Sequence, residues 1–373
     1  MFCEINSVLR MVLAAVVSLA VAYVMTPQVK RFAESVGAVD MPSARRINDR
    51  PVPRMGGIAI FCGFMLAMLL FTEMTVQVKG ILIGTIIISV MGALDDMFDL
   101  NPWIKLVGQF AAAIVCVNCG VVLDGFTGFL PGSAETVFLN FSLSAFLTVI
   151  WIVGCTNAIN LIDGLDGLAV GMSTISAATL FIISLSVAEA NVSVILMCLI
   201  GACLGFWPYN RNPAKIFMGD VSSQMLGFVL SAVSVIGLFK LHALVTMLIP
   251  FLAMAVPLAD TAFAFCRRIL RGQSPFHPDK GHFHHRLLAM GLSQKQAVTV
   301  LYSISVVLGI FAFLMVGETR SVKIICLSVA FVIVLGIVLY VLKIYPRLRS
   351  SRDVESAAAD SDVKIYEKGN SRR

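Results

Sequence analysis

Apolar stretches recur along the whole chain, near residues 5–27, 56–72, 80–94, 104–122, 142–160, 166–187, 192–208, 222–239, 243–265, 298–316 and 321–343. Lipid offers a peptide backbone no hydrogen-bond partner, so a segment that crosses it must satisfy itself, and a helix needs about 20 apolar residues to do so. The pattern predicts an all-α fold, a polytopic membrane helical bundle of about eleven transmembrane helices. The short run at 80–94 reads as a helix that stops below the far surface, or as a place where the bilayer thins. Composition agrees: the chain is 58% hydrophobic and 13% charged, against about 45–50% and about 25% for soluble domains. Arg10 lies inside the first run and no small-residue cleavage site follows it, which argues against a removed signal peptide. The nine cysteines are scattered, and Cys116 and Cys119, spaced C-x-x-C inside an apolar run, read as small buried hydrophobes.

Charge then orients the bundle. Lys30, Arg31, Arg45, Arg46, Arg50 and Arg54 crowd segment 28–54, and Arg267, Arg268, Arg271, Lys280, Arg286 and Lys295 crowd segment 266–297. Segment 123–141 holds Asp124 and Glu135 but no Lys or Arg. By the positive-inside rule the basic segments face the cytoplasm, which puts the N-terminus outside and the C-terminus inside. The net charge of +6 is therefore a membrane signature and implies no nucleic acid. Residues 1–345 are expected to form one transmembrane domain. The tail 346–373, polar and rich in Ser, Ala and Asp, is expected to be disordered in the cytoplasm. On this topology four polar clusters share the cytoplasmic face: 92–99, 157–167, 210–220 and 277–285.

Asp95 and Asp96 follow an apolar run, with Asp99 three residues on. One carboxylate at a helix end is an ordinary cap, but two adjacent ones repel in a partly desolvated place and call for a cation. Asn157, Asn160 and Asp163 recur at helical spacing, and Asp166 follows; capping accounts for one Asn, not for four such groups in ten residues. Asp220, before Ser222, reads alone as an N-cap and, beside the other acidic clusters, as a metal ligand. Oxygen donors from Asp and Asn suit Mg²⁺, which keeps waters and shares substrate phosphates, and there is no Cys/His cage for zinc. His282, His284, His285 and Arg286 form a cationic, hydrogen-bonding loop suited to phosphate oxygens. Together these groups describe phosphoryl transfer between a water-soluble diphosphate and a membrane lipid.

The stretches VPRMGG (52–57), GALDD (92–96), NAINLIDGLDGLA (157–169), NRNPAKIFMGDVSS (210–223) and HFHHRL (282–287) resemble the motifs of the polyprenyl-phosphate N-acetylhexosamine-1-phosphate transferases, glycosyltransferase family 4. They match in order across most of residues 5–343. Within the family the chain is most similar to the bacterial undecaprenyl-phosphate N-acetylglucosamine branch. The peptidoglycan branch carries three consecutive histidines where this chain has His282-Phe283-His284-His285. The resemblance implies that undecaprenyl phosphate, a membrane lipid, attacks the sugar-linked phosphorus of a UDP-N-acetylhexosamine, releasing UMP. GlcNAc is the favoured sugar, with GalNAc or a deoxy-hexosamine as alternatives. The product would start a lipid-linked cell-surface polysaccharide such as O-antigen, made at the bacterial inner membrane, with a homodimer left open.

The same resemblance implies residue roles. Asp220 would bind Mg²⁺ (or Mn²⁺), with Asn160 as a second ligand. Phe217 would stack on uracil, Asp166 and Asn210 would touch the nucleotide, and Lys105 would touch phosphate. Asn157 and Arg286 join the substrate contacts; Asp95, Asp96, Asp163, His282, His284 and His285 form the catalytic set. A phosphate monoester has a second pKa of about 6, so the acceptor is already ionised at neutral pH. The expectation is that Asp95 and Asp96 position Lys105, metal waters or the acceptor rather than act as a base. The rival class, a proton-coupled transporter, predicts inverted repeats and midplane polar groups; the sequence shows no repeat halves.

Overall fold

A computed structural model describes residues 6–42, 50–123, 125–127, 136–186, 190–237, 251–270, 282–316, 321–322, 324–333 and 335–336. The expected tail at 346–373 lies outside the described residues. The chain is a polytopic helical membrane protein. Its helices are α1 (Ser7–Ser35), α2 (Gly57–Phe71), α3 (Val76–Phe98), α4 (Pro102–Asn118), α5 (Phe141–Ile162), α6 (Leu168–Ser186), α7 (Ala190–Asn210), α8 (Gly219–Gly237), α9 (Ala255–Leu270), α10 (Phe283–Ala289), α11 (Gln294–Leu314) and α12 (Ile324–Ile333). Among the described residues seven are long and apolar enough to cross a membrane, and α2, α4, residues 255–265 of α9 and α12 are shorter apolar pieces. Two antiparallel pairs, β1 (Val39–Asp40) with β2 (Val52–Pro53) and β3 (Gly125–Thr127) with β4 (Thr136–Phe138), are the only strands among these residues.

Two expectations about length change. The run at 80–94 is the middle of a 23-residue helix, α3, because Thr75 caps its start by accepting from the Val78 amide, and Asp95 and Asp96 continue it. The first helix runs on to Ser35, past the apolar run that ends at 27.

Helix α8 is the centre of the bundle. Every residue from Val221 to Gly237 is buried, and α2, α3, α5, α6 and α7 surround it. A helix apolar on all sides belongs in such a place. Helix α1 is peripheral by contrast: its buried residues Met11, Ala14, Ser18, Ala22, Thr26, Val29 and Ala33 form one stripe at three- and four-residue spacing. That stripe rests on α2 and α7, where a Cβ at Gly201 or Gly205 would collide with the Ala15 or Leu19 carbonyl. Small residues replace the hydrophobic effect between helices in lipid by letting backbones approach closely. Hydroxyls add glue: Ser18 donates to the Cys198 carbonyl at 2.6 Å, and Ser176 to that of Ala253 at 2.6 Å.

Candidate active site

Helix α8 begins where the sequence reads GD. Gly219 has φ +71°, and a Cβ there would collide with the Asp96 carboxylate. Asp96 fills that space because it reaches across from the last turn of α3. Its Oδ1 accepts from the Asp220 amide at 3.0 Å and its Oδ2 from the Val221 amide at 3.4 Å. One helix thus caps another, with a carboxylate at the positive end of the helix dipole.

The cap frees Asp220, which sits in the first turn of α8, to use its side chain elsewhere. Its Oδ2 accepts from Lys105 Nζ at 3.1 Å and Gln224 Nε2 at 3.2 Å, and its Oδ1 from Asn160 Nδ2 at 3.1 Å. Lys105 also bridges to Asp95 Oδ2 at 2.8 Å, and Asp95 Oδ1 accepts from the Leu100 amide at 2.8 Å. The adjacent carboxylates therefore already hold donors: Asp95 a lysine, Asp96 a helix end.

Asp163 ends α5 and differs from its neighbours. No described residue donates a hydrogen bond to its carboxylate, which faces the same cavity as Asp96 and Asp220. Enclosure in that cavity lifts its pKa well above the usual carboxylate range, and the charges of Asp220, Asp96 and Asp166 push the same way. Asp166 and Asn210 line the same cavity and also hold its wall. Asp166 Oδ2 accepts from Asn212 Nδ2 and the Ala214 amide, both at 2.9 Å. Asn210 accepts from the Gly167 amide at 3.1 Å and donates to the Ile216 carbonyl at 3.0 Å. Phe217 is fixed through its backbone to the VPRMGG stretch: its amide donates to the Pro53 carbonyl at 2.8 Å, and its carbonyl accepts from the Gly56 amide at 2.9 Å.

The structure divides the three histidines. His285 lines the cavity. His284 is buried against Gly164, where a Cβ would collide with its ring. Burial pushes its pKa down to about 4, with His285 and His282 adding to the shift and Asp260 opposing it. It is therefore neutral at pH 7, not a cation. His282 is buried, with Nδ1 2.9 Å from Asp260 Oδ2. Arg286 is exposed on α10 and is not among the residues lining the cavity.

The cavity has a volume of about 480 Å³ and gathers Asp96, Asp163, Asp220, Phe217 and His285, with Arg50 and Arg54 at its side. Arg54 also meets Asp99 at 3.2 Å. Asp96, Asp163 and Asp220 line one cavity, and no described residue donates to Asp163; their oxygens are of the type a hard divalent cation takes. Among the described residues no three His, Cys, Asp or Glu side chains close around a point as a cage. Carboxylate oxygens are the donor type a hard ion such as Mg²⁺ takes. Asp220 and Asp163 are the carboxylates that would hold it. Asn160 turns its amide nitrogen to Asp220 and, at 2.8 Å, to Ser223 Oγ, so it orients Asp220.

Sequence reasoning passed over Gln109, Gln224 and Asp260. Gln109 Nε2 donates to Gln224 Oε1 at 3.0 Å, and Asn157 Nδ2 donates to Gln109 Oε1 at 2.6 Å. This buried amide chain backs Asp220 and places Asn157 behind the cavity rather than in it. All three residues stand inside apolar runs, and a lone amide or carboxylate there was the signal to follow.

Residues 78–238 match the family model described as glycosyl transferase family 4. The chain is 43% identical over 314 residues to a Bacillus subtilis protein named probable undecaprenyl-phosphate N-acetylglucosaminyl 1-phosphate transferase, covering 83% of this chain and 86% of that one. It is 34% identical over 322 residues to a Mycobacterium tuberculosis decaprenyl-phosphate N-acetylglucosaminephosphotransferase, covering 79% of each. It is 29% identical over 282 residues to an Escherichia coli undecaprenyl-phosphate alpha-N-acetylglucosaminyl 1-phosphate transferase, covering 73% and 75%.

Proposed function

The chain belongs to glycosyl transferase family 4 and is a multi-pass membrane phosphotransferase, and from that premise we propose that it transfers N-acetylglucosamine-1-phosphate from UDP-GlcNAc to undecaprenyl phosphate. An oxygen of the acceptor phosphate bonds to the sugar-linked phosphorus, the bond to the bridging oxygen breaks, and UMP leaves with the electron pair. The observation that carries this reading is the pairing of opposites in one place: Lys105 pairs with Asp220, and Asp163, to which no described residue donates, faces the same cavity of about 480 Å³.

Each group then has work suited to its partners. Lys105, held by Asp95, neutralises the acceptor phosphate. Asp96 keeps the start of α8, and so Asp220, in place. Mg²⁺ bound by Asp220 and Asp163 would offset the charge of the diphosphate. His285, Arg50 and Arg54 would meet charge that grows on the leaving phosphate. Phe217 offers a ring face to uracil. The acceptor needs no base at neutral pH, and both members of the Asp95–Asp96 pair already hold donors, which supports positioning. The side with the basic residues Lys30, Arg31, Arg50, Arg54 and Lys215 would face the cytoplasm of a bacterial inner membrane, with the N-terminus outside. The product would begin a lipid-linked surface polysaccharide.

Purified protein in vesicles with undecaprenyl phosphate and Mg²⁺ should release UMP from UDP-GlcNAc, sensitive to tunicamycin, and faster than from other UDP-hexosamines. Release from none of that panel would refute the reaction, and a faster rate with UDP-GalNAc would move the sugar. An Asp96→Asn variant that regains most of its rate at high pH would restore the base role and remove positioning.

A further inference from the structure

Helix α9 carries one carboxylate in its apolar first half, Asp260, and it is 2% exposed. Burying a carboxylate is costly unless its oxygens are occupied. Both are. Oδ2 lies 2.9 Å from His282 Nδ1, and Oδ1 accepts from the Phe283 amide at 2.7 Å. A single side chain thus holds the ring of one residue and the backbone of the next, just where α10 begins.

The contact dictates the proton's address. A carboxylate can only accept, so Nδ1 of His282 carries the hydrogen and Nε2 is left for other partners. The ring so fixed lies parallel to that of His284, 5.8 Å between centroids and 6° between planes. His284 in turn touches His285, 4.3 Å between centroids, and His285 lines the cavity. Asp260 therefore stands at the back of a row of three rings whose front member lines the cavity.

We propose that Asp260 is a positioning residue for the transfer reaction: acting through His282, it holds the histidine row at the angle the leaving phosphate needs. This rests on the reading that the cavity is where phosphoryl transfer occurs. Shape alone would not require a carboxylate here, since an amide also accepts from the Phe283 amide. What an amide lacks is the charge that locks the Nδ1 hydrogen and steadies the ring when it takes up positive character.

The test uses the full chain in vesicles with undecaprenyl phosphate, UDP-GlcNAc and Mg²⁺, comparing Asp260→Asn, Asp260→Glu, His282→Gln and Asp260→Asn/His282→Gln. Asp260→Asn should lower kcat about 10- to 100-fold, as loss of a partner that orients a histidine does elsewhere, while KM for UDP-GlcNAc stays within about twofold. Asp260→Glu should recover part of the rate. The double variant should be no slower than His282→Gln, because the two act as one unit. Thermal unfolding of each variant separates a folding defect from a positional one. A wild-type kcat in Asp260→Asn, a loss confined to KM, or a double variant that multiplies the two single losses would each overturn the inference while the reaction stands. A wild type that turns over no UDP-sugar overturns the reaction and this inference with it.

Discussion

At one end of the bundle Arg10 meets Glu73 at 3.0 Å, and Glu73 is clasped through its backbone by both groups of Asn191, at 3.0 Å each. Positive and negative charge match there, and α1 and α7 are tied to the loop between α2 and α3. At the other end Asp96, Asp163 and Asp220 face one cavity, with Lys105 pairing with Asp220 and no described residue donating to Asp163. The same residue types build a staple in one place and a charge surplus in the other. A paired polar cluster inside a membrane protein holds helices together; an acidic one that faces a cavity suits a ligand of opposite charge.

Asp220→Asn should break the surplus most severely, lowering kcat about 10²- to 10³-fold, the range for removing one preorganised electrostatic group. The vesicle assay measures it, and a variant within tenfold of wild type would place the surplus outside the chemistry. Chelation should come next. EDTA should stop UMP release and Mg²⁺ restore it, and Mg²⁺ should raise the thermal midpoint of wild type but not of Asp163→Asn. An equal rise in both would remove Asp163 from the cation's partners. The matched end predicts the reverse pattern. Arg10→Leu should cost about 1 kcal/mol of stability or less, since Glu73 remains half in solvent, with kcat/KM unchanged; a kinetic defect would link the two ends. A pH-dependent effect concerns His284, whose folded pKa of about 4 lies below the ordinary 6.5. The unfolded chain binds the extra proton first, so stability is full above about pH 6.5 and drains as pH falls toward 4, by at most about 1.4 kcal/mol per pH unit. Facing Asp260, His282 and His285, this ring should account for part of the fall in thermal midpoint between pH 7 and 5, and His284→Phe should flatten the curve.

How much of this the sequence disclosed depends on whether a residue's partner lay near it in the chain. The helices were legible because lipid permits few alternatives to an apolar run, and the clusters around 95, 160, 220 and 284 were legible because each packs several polar groups into a few residues. What no local window could show was the division of labour within a cluster. Asp95 and Asp96 are adjacent, yet one serves Lys105 and the other serves a helix 124 residues away. Asp166 and Asn210 belong to matching motifs, and beside lining the cavity they hold loop 210–217 to the start of α6. Gln109, Gln224 and Asp260 stood alone in apolar surroundings, where a single polar letter looks like noise until its partner arrives from another helix. The length of α3 was understated for a related reason: two carboxylates look like an ending, but here they are the helix's last turn, stabilised by what they grip.

That grip has a mechanical side. Two hydrogen bonds from the Asp220 and Val221 amides to Asp96 fasten the final turn of α3 to the first peptide units of α8. Neither helix can slide or tilt alone without tearing them. A tilt of α3 would therefore be passed directly to the first turn of α8, where Asp220 sits.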